Sequence, residues 1–187
     1  MENLKINKIN DYLNQSIKDI NYLKDQSEAI KDVVNVIKNS KLVYLAGNGG
    51  SSANASHFAN DLNKMCKISA ICLSDNTPIL TAVANDISYR DIFSQQINRK
   101  FIELFGKDNV TLVVVSGSGN SRNVLDVIHY GKALGLNVIA FLGMTGGVAS
   151  NIKGIHKIHI NTDMQHAEDI HMILVHTIVR MICNEMI

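Results

Sequence analysis

The spacing of hydrophobic residues along this chain changes once, near Lys41, and the two regimes predict different architecture. Residues 3–39 keep a helical period throughout. Ile9, Tyr12, Leu13, Ile17, Ile20 and Leu23 recur at three- and four-residue steps and draw one apolar stripe. Ile30, Val33, Val34 and Ile37 draw a second, and the polar stretch from Asp25 to Glu28 between them can cap a new helix. Beyond Lys41 the apolar residues gather into short runs at 42–46, 70–73, 110–115, 138–142 and 155–160. These runs are β-branched and largely non-alternating, the pattern of parallel strands covered on both faces. Helical stretches lie between them, such as 121–134, with Gly135 as its stop. Alternating strands and helices imply right-handed crossovers. The expected fold is α/β: a doubly wound, mostly parallel five-stranded sheet flanked by helices, with two helices preceding it.

A last helix is predicted over 165–186. Its apolar residues Ile170, Ile173, Leu174, Val175, Ile178, Val179 and Ile182 run around most of its circumference. A helix apolar on most sides needs cover on more than one. We therefore expect it and the N-terminal helices to pack against other subunits.

Composition narrows the class. At 187 residues the chain fits one domain, with 1–39 as a helical extension used in oligomer packing. A hydrophobic fraction of 46% with 19% charged residues suits a globular core. A formal charge of +1 leaves no electrostatic footprint for nucleic acid or an anionic membrane. The start, MENLKINKIN, lacks the apolar segment of a signal peptide, and no run approaches the roughly 20 residues of a membrane span. Cys66, Cys72 and Cys183 have neither CxxC nor metal-finger spacing and read as reduced, buried thiols. A cytoplasmic protein is expected.

Two loops carry candidate chemistry. Gly47-Asn48-Gly49-Gly50-Ser51-Ser52 follows the first strand, and its glycines let backbone amides approach a ligand at a helix N-terminus. Ser116-Gly117-Ser118-Gly119-Asn120-Ser121 follows the third, where three hydroxyls and exposed amides can form an anion nest. Neither is GxGxxG or a Walker loop, so neither dinucleotide nor nucleoside triphosphate is the natural ligand. Either loop taken singly is equally well a turn with an N-cap serine. Both follow strand C-termini, where doubly wound sheets bind ligands, and together they favour a phosphorylated small molecule.

His57 and Asp61 stand one helical turn apart, a spacing shared by helix-borne metal pairs and by ordinary histidine–aspartate hydrogen bonds. His176 falls within ILVHTIV, where the residues alone favour a core histidine satisfied by a hidden backbone or carboxylate partner. Glu168 and His176 would lie about 12 Å apart along one helix, from a rise of 1.5 Å per residue.

GNGGSSANASHFANDL, LSDNTPILTAVANDISYRDIFSQQ, VSGSGNSRNVL and EDIHMILVH together resemble the phosphoheptose isomerases, in family order and over essentially the whole chain. These sugar-isomerase-domain (SIS) enzymes convert sedoheptulose 7-phosphate to a manno-configured heptose 7-phosphate, the first step towards nucleotide-activated heptose for lipopolysaccharide, capsule or another glycan. The resemblance implies a homotetramer with active sites at subunit interfaces. It implies a divalent ion, usually zinc, on His57, Asp61, Glu168 and His176. Asp61 or Glu168 would then be the base and His176 a second proton carrier. It further implies phosphate contacts from Ser116, Ser118 and Ser121, and sugar contacts from Asn48, Ser51 and Asp86. Gly49, Gly50 and Gly117 complete the two binding loops, and Glu168 is expected to reach substrate as well. Three positions depart from the family pattern: Asp61 replaces a glutamate, Glu168 a glutamine, and Gly117 a threonine. A non-catalytic alternative within the fold is a regulator that binds a protein partner such as the replication initiator. Such a protein would be expected to lose His176 and the acid at 61, and both survive here in chemical type.

Overall fold

The computed structural model describes residues 2–183, with side chains from Ile6 onward. The predicted end of the last helix, 184–186, lies outside the described residues. The first regime forms two helices, α1 (Glu2–Lys24) and α2 (Ser27–Lys38). The break falls where the polar stretch predicts it, but no side chain caps α2. Gln26 instead donates from Nε2 to the His159 carbonyl oxygen at 2.9 Å, tying the break to the far edge of the sheet.

The five runs form β1 (Leu42–Gly47), β2 (Ser69–Cys72), β3 (Val110–Ser116), β4 (Asn137–Leu142) and β5 (His156–His159). All pair in parallel, in the order β2-β1-β3-β4-β5. Val43, Leu45, Val113, Val115, Ile139 and Phe141 point into one core layer with α2, α3 (Gly50–Asp61) and α7 (Met164–Cys183). Leu42, Tyr44, Ala46, Leu112, Val114 and Ala140 point into the opposite layer, against α6 (Arg122–Ala133) and Phe93. Burial on both faces is why these strands carry no polar alternation. The helices α4 (Thr77–Asp86) and α5 (Arg99–Phe105) complete the crossover from β2 to β3.

Strand order decides where a ligand can sit. From β1 the chain winds outward to β2; from β3 it winds the other way, through β4 to β5. The reversal opens a crevice between the C-terminal ends of β1 and β3, the ligand position of doubly wound sheets. Both candidate loops leave the sheet at that crevice.

The stripe on α1 is only partly covered within the chain. Leu23 is buried and Ile20 packs on the core, but Ile6, Ile9, Leu13 and Ile17 are each more than half exposed. Polar contacts dock this helix instead. The Tyr12 hydroxyl donates to Asp169 at 2.6 Å, and the Thr162 hydroxyl donates to the buried Asp19 at 2.7 Å. None of the described helices is long and apolar enough to cross a membrane.

Candidate functional site

Glycine geometry builds the first loop. Gly49 adopts φ of +57°, a conformation costly for other residues, and α3 begins at Gly50 directly behind it. The Asn48 and Asn123 side-chain amides then bond reciprocally, each donating to the other's oxygen at 2.9 Å. Asn123 is buried on α6, so this amide pair bridges the two loops' elements. The Tyr89 hydroxyl adds a donor to the Asn48 oxygen at 3.3 Å. Arg90 pairs bidentately with Asp126 at 2.7 and 3.1 Å, which anchors the Tyr89 segment on α6.

The serine loop organises itself. Ser116 is buried, and its Oγ accepts from the Gly119 amide at 3.0 Å; Ser118 Oγ accepts from the Asn120 amide at 3.2 Å. From the other side, the Ala149 amide donates to the Gly119 carbonyl at 3.0 Å, and the Val148 amide to Asn120 Oδ1 at 2.9 Å. The loop is thus held by backbone on both flanks before any ligand arrives.

Between the loops lies a cavity of about 190 Å³ lined by Asn48, Gly49, Ser51, Ser116, Ser118 and Glu168, among others. Gly117, Ser121 and Met164 complete it. The Glu168 carboxylate packs directly on Gly50, where any side chain would collide with it. An anion is thereby set at the N-terminus of α3, where the helix dipole favours negative charge. Met164 occupies the space a side chain on Gly117 would take. Asp86 lies outside this cavity, at the exposed end of α4, where it accepts from Asn85 at 2.8 Å.

The histidine–carboxylate pair on α3 meets α7. His57 Nε2 lies 3.3 Å from Asp61 Oδ2 and 3.0 Å from His176 Nε2, with the two rings edge to face at 5.0 Å. Donor atoms of all three residues fall within 4.8 Å of one another. Asp61 is buried and takes a further bond from Asn60 at 3.1 Å, while His57 and His176 open to solvent. His176 is therefore not a core histidine; the apolar residues around it in sequence face other directions. Two imidazole nitrogens and a carboxylate form a donor set that suits a divalent metal ion. Glu168 does not join these three donors. Its backbone carbonyl accepts from Asn54 at 2.8 Å, which fixes α7 on α3 between the cavity and the cluster. A second opening of about 270 Å³, lined by Asp61, Met65, His176, Val179 and Arg180, lies at the cluster.

Sequence reasoning missed Asn123 and Tyr89. A buried amide on the inward face of α6 was the available signal for the first, and its partner is 75 residues away.

The SIS-domain family matches residues 6–143. A phosphoheptose isomerase of Clostridium acetobutylicum is 31% identical, over 91% of this chain and 87% of its own length. A probable phosphoheptose isomerase of Thermoplasma acidophilum is 34% identical, over 80% of this chain and 82% of its own. Among solved structures, a phosphoheptose isomerase from Francisella tularensis superposes with a TM-score of 0.85 at 26% identity, covering 96% of this chain and 98% of that one. The chain belongs to the SIS-domain family and, within it, to the phosphoheptose isomerases.

Proposed function

We propose that this protein isomerises sedoheptulose 7-phosphate to D-glycero-D-manno-heptose 7-phosphate. The observation that carries this reading is a pre-organised serine-loop cavity in a chain whose α3 and α7 also bring together proton-transferring and metal-ligating side chains. The regulator alternative is not favoured, because the histidine and the acid that such a protein could lose are both present and in contact with the same partner.

Ketose-to-aldose conversion moves one proton between C1 and C2 and needs a base, an acid and stabilisation of the oxygen that becomes negative. Ser116, Ser118 and Ser121, with the loop amides, hold the phosphate, so binding energy from the unreactive end positions C1 and C2. Asn48, Ser51 and the Glu168 carboxylate contact the sugar hydroxyls. Asp61 removes and returns the C–H proton, and His176 carries the second proton between the oxygens. His57, Asp61 and His176 would hold a zinc ion, which when bound polarises the substrate carbonyl. Glu168 completes that set only by turning away from Gly50. Asp86 reaches the sugar only if α4 or a neighbouring subunit brings it there. The exposed stripe on α1 supports a homotetramer as the working form.

The test is to incubate purified protein with sedoheptulose 7-phosphate and read the product by NMR, with metal content measured in parallel. We expect an aldose 7-phosphate and about one divalent ion per chain. His176→Ala and Asp61→Asn should each lower kcat by about 100-fold or more. Full turnover in His176→Ala would remove that residue from the mechanism, and no conversion by metal-loaded protein would remove the activity.

A further inference from the structure

Two of the three cysteines meet at the far end of the α3–α7 contact, although 117 residues separate them in sequence. After Asp61 the helix widens into a π turn, Leu62–Cys66, which ends as Lys67 takes a left-handed φ of +58°. Cys66 closes that turn and packs on the last described turn of α7, which carries Cys183. The two Sγ atoms are 2.8 Å apart, and Cys66 Sγ is 3.7 Å from the Val179 carbonyl oxygen. A disulfide holds its sulfurs at about 2.05 Å, so an approach of less than 1 Å separates this pair from bonding. Both cysteines are partly exposed, whereas Cys72 is buried on β2 with its thiol pushed up to about 11 by that burial.

We propose that Cys66 and Cys183 form a reversible intrachain disulfide that staples the π turn to the end of α7 while the His57–Asp61–His176 cluster stays assembled. The sulfurs nearly touch with the cluster already in contact, so closure does not require the helices to part. Thiol–disulfide exchange with a low-molecular-weight disulfide supplies the oxidant. One cysteine thiolate attacks the small disulfide, breaking its S–S bond and releasing one small thiol, and a mixed disulfide forms on the protein. The other cysteine thiolate then attacks the protein sulfur of that mixed disulfide and expels the second small thiol. Two protein thiols are oxidised, one small disulfide is reduced to two thiols, and the two cysteine protons leave on them. Excess small thiol reverses both steps. Because the bond closes a loop of more than 100 residues, it falls in the range where cross-linking constrains the unfolded chain most.

The full chain should be equilibrated in glutathione buffers from fully reduced to fully oxidised, then alkylated in denaturant and mapped by non-reducing peptide mass spectrometry. The expected result is a linked Cys66–Cys183 peptide, loss of two thiols per chain, an alkylatable Cys72 and no covalent dimer. Oxidation should raise Tm by about 5–10 °C, a gain reversed by reductant and absent in Cys183→Ser. Only glutathione adducts, links to Cys72 or between chains, or three intact thiols in the most oxidising buffer would overturn the proposal. A linked peptide without a rise in Tm would overturn the stapling role.

Discussion

His171 and His166 stand five residues apart on α7 and meet opposite surroundings. His166 Nδ1 lies 2.6 Å from the Asp163 carboxylate and its Nε2 3.0 Å from the Tyr12 carbonyl oxygen. Both partners only accept, so the ring is fully satisfied as the imidazolium, and the Tyr12 ring stacks on it at 4.0 Å. His171 is completely buried, tilted against Phe141, and the Leu142 carbonyl faces it without a hydrogen bond of good geometry. Burial pushes His171 down to about 4, and the neighbouring His159 adds to that shift. The unfolded chain therefore binds more protons than the native one between about pH 4 and the ordinary histidine pKa of about 6.5. In that window stability rises with pH: no protonation penalty is present above 6.5, and one grows as pH falls towards 4. The cost reaches about 3 kcal/mol at pH 4. Urea unfolding of the native chain and of His171→Phe at pH 7 and pH 4 measures it. The variant should lose less stability on acidification, and equal losses would show that His171 is not held neutral.

At the scale of elements, the serine loop is a clamped turn. Gly119 takes φ of +63°, and a methyl group there would land on the Gly146 carbonyl oxygen, which is backbone and cannot step aside. Gly119→Ala should therefore cost about 2–3 kcal/mol and weaken phosphate binding, read by chemical denaturation and by isothermal titration with the substrate. Gly117→Ala is the matching control. The three atoms nearest its added methyl all belong to the Met164 side chain, which is partly exposed and able to swing outward. Its cost should stay below about 1 kcal/mol. Met164 also gives the departure at Gly117 a physical reading, since this chain fills with a thioether the space that a threonine side chain would enter.

For the whole molecule, the apolar stripe on α1 is left without cover in one chain. Ile9, Leu13 and Ile17 face outward because Tyr12, Asp19 and Leu23 take the inward contacts. Sedimentation should give about four times 20.6 kDa, and changing these three residues to glutamate should yield smaller species with the same far-UV circular dichroism. A tetramer that survives the triple change would place the interface elsewhere.

What the amino-acid sequence determined by itself is local. Short β-branched runs specified five strands, because burial on both faces removes polar alternation. Glycines and serines after the first and third runs marked two loops, because Gly49 and Gly119 supply positive φ and the Ser116 and Ser118 hydroxyls accept from amides within the second loop. His57 and Asp61 shared a helix face because four residues make about one turn. Tertiary structure decided what depends on sums of distant contacts. The order β2-β1-β3-β4-β5 put the two loops at one crevice, and the packing of α7 on α3 set His176 against His57 and Cys183 against Cys66. Neither periodicity nor spacing encodes those pairings, since each joins residues more than 100 positions apart whose approach is fixed only once the sheet has formed beneath both helices. The same packing kept Glu168 with the serine-loop cavity and apart from the cluster on α3.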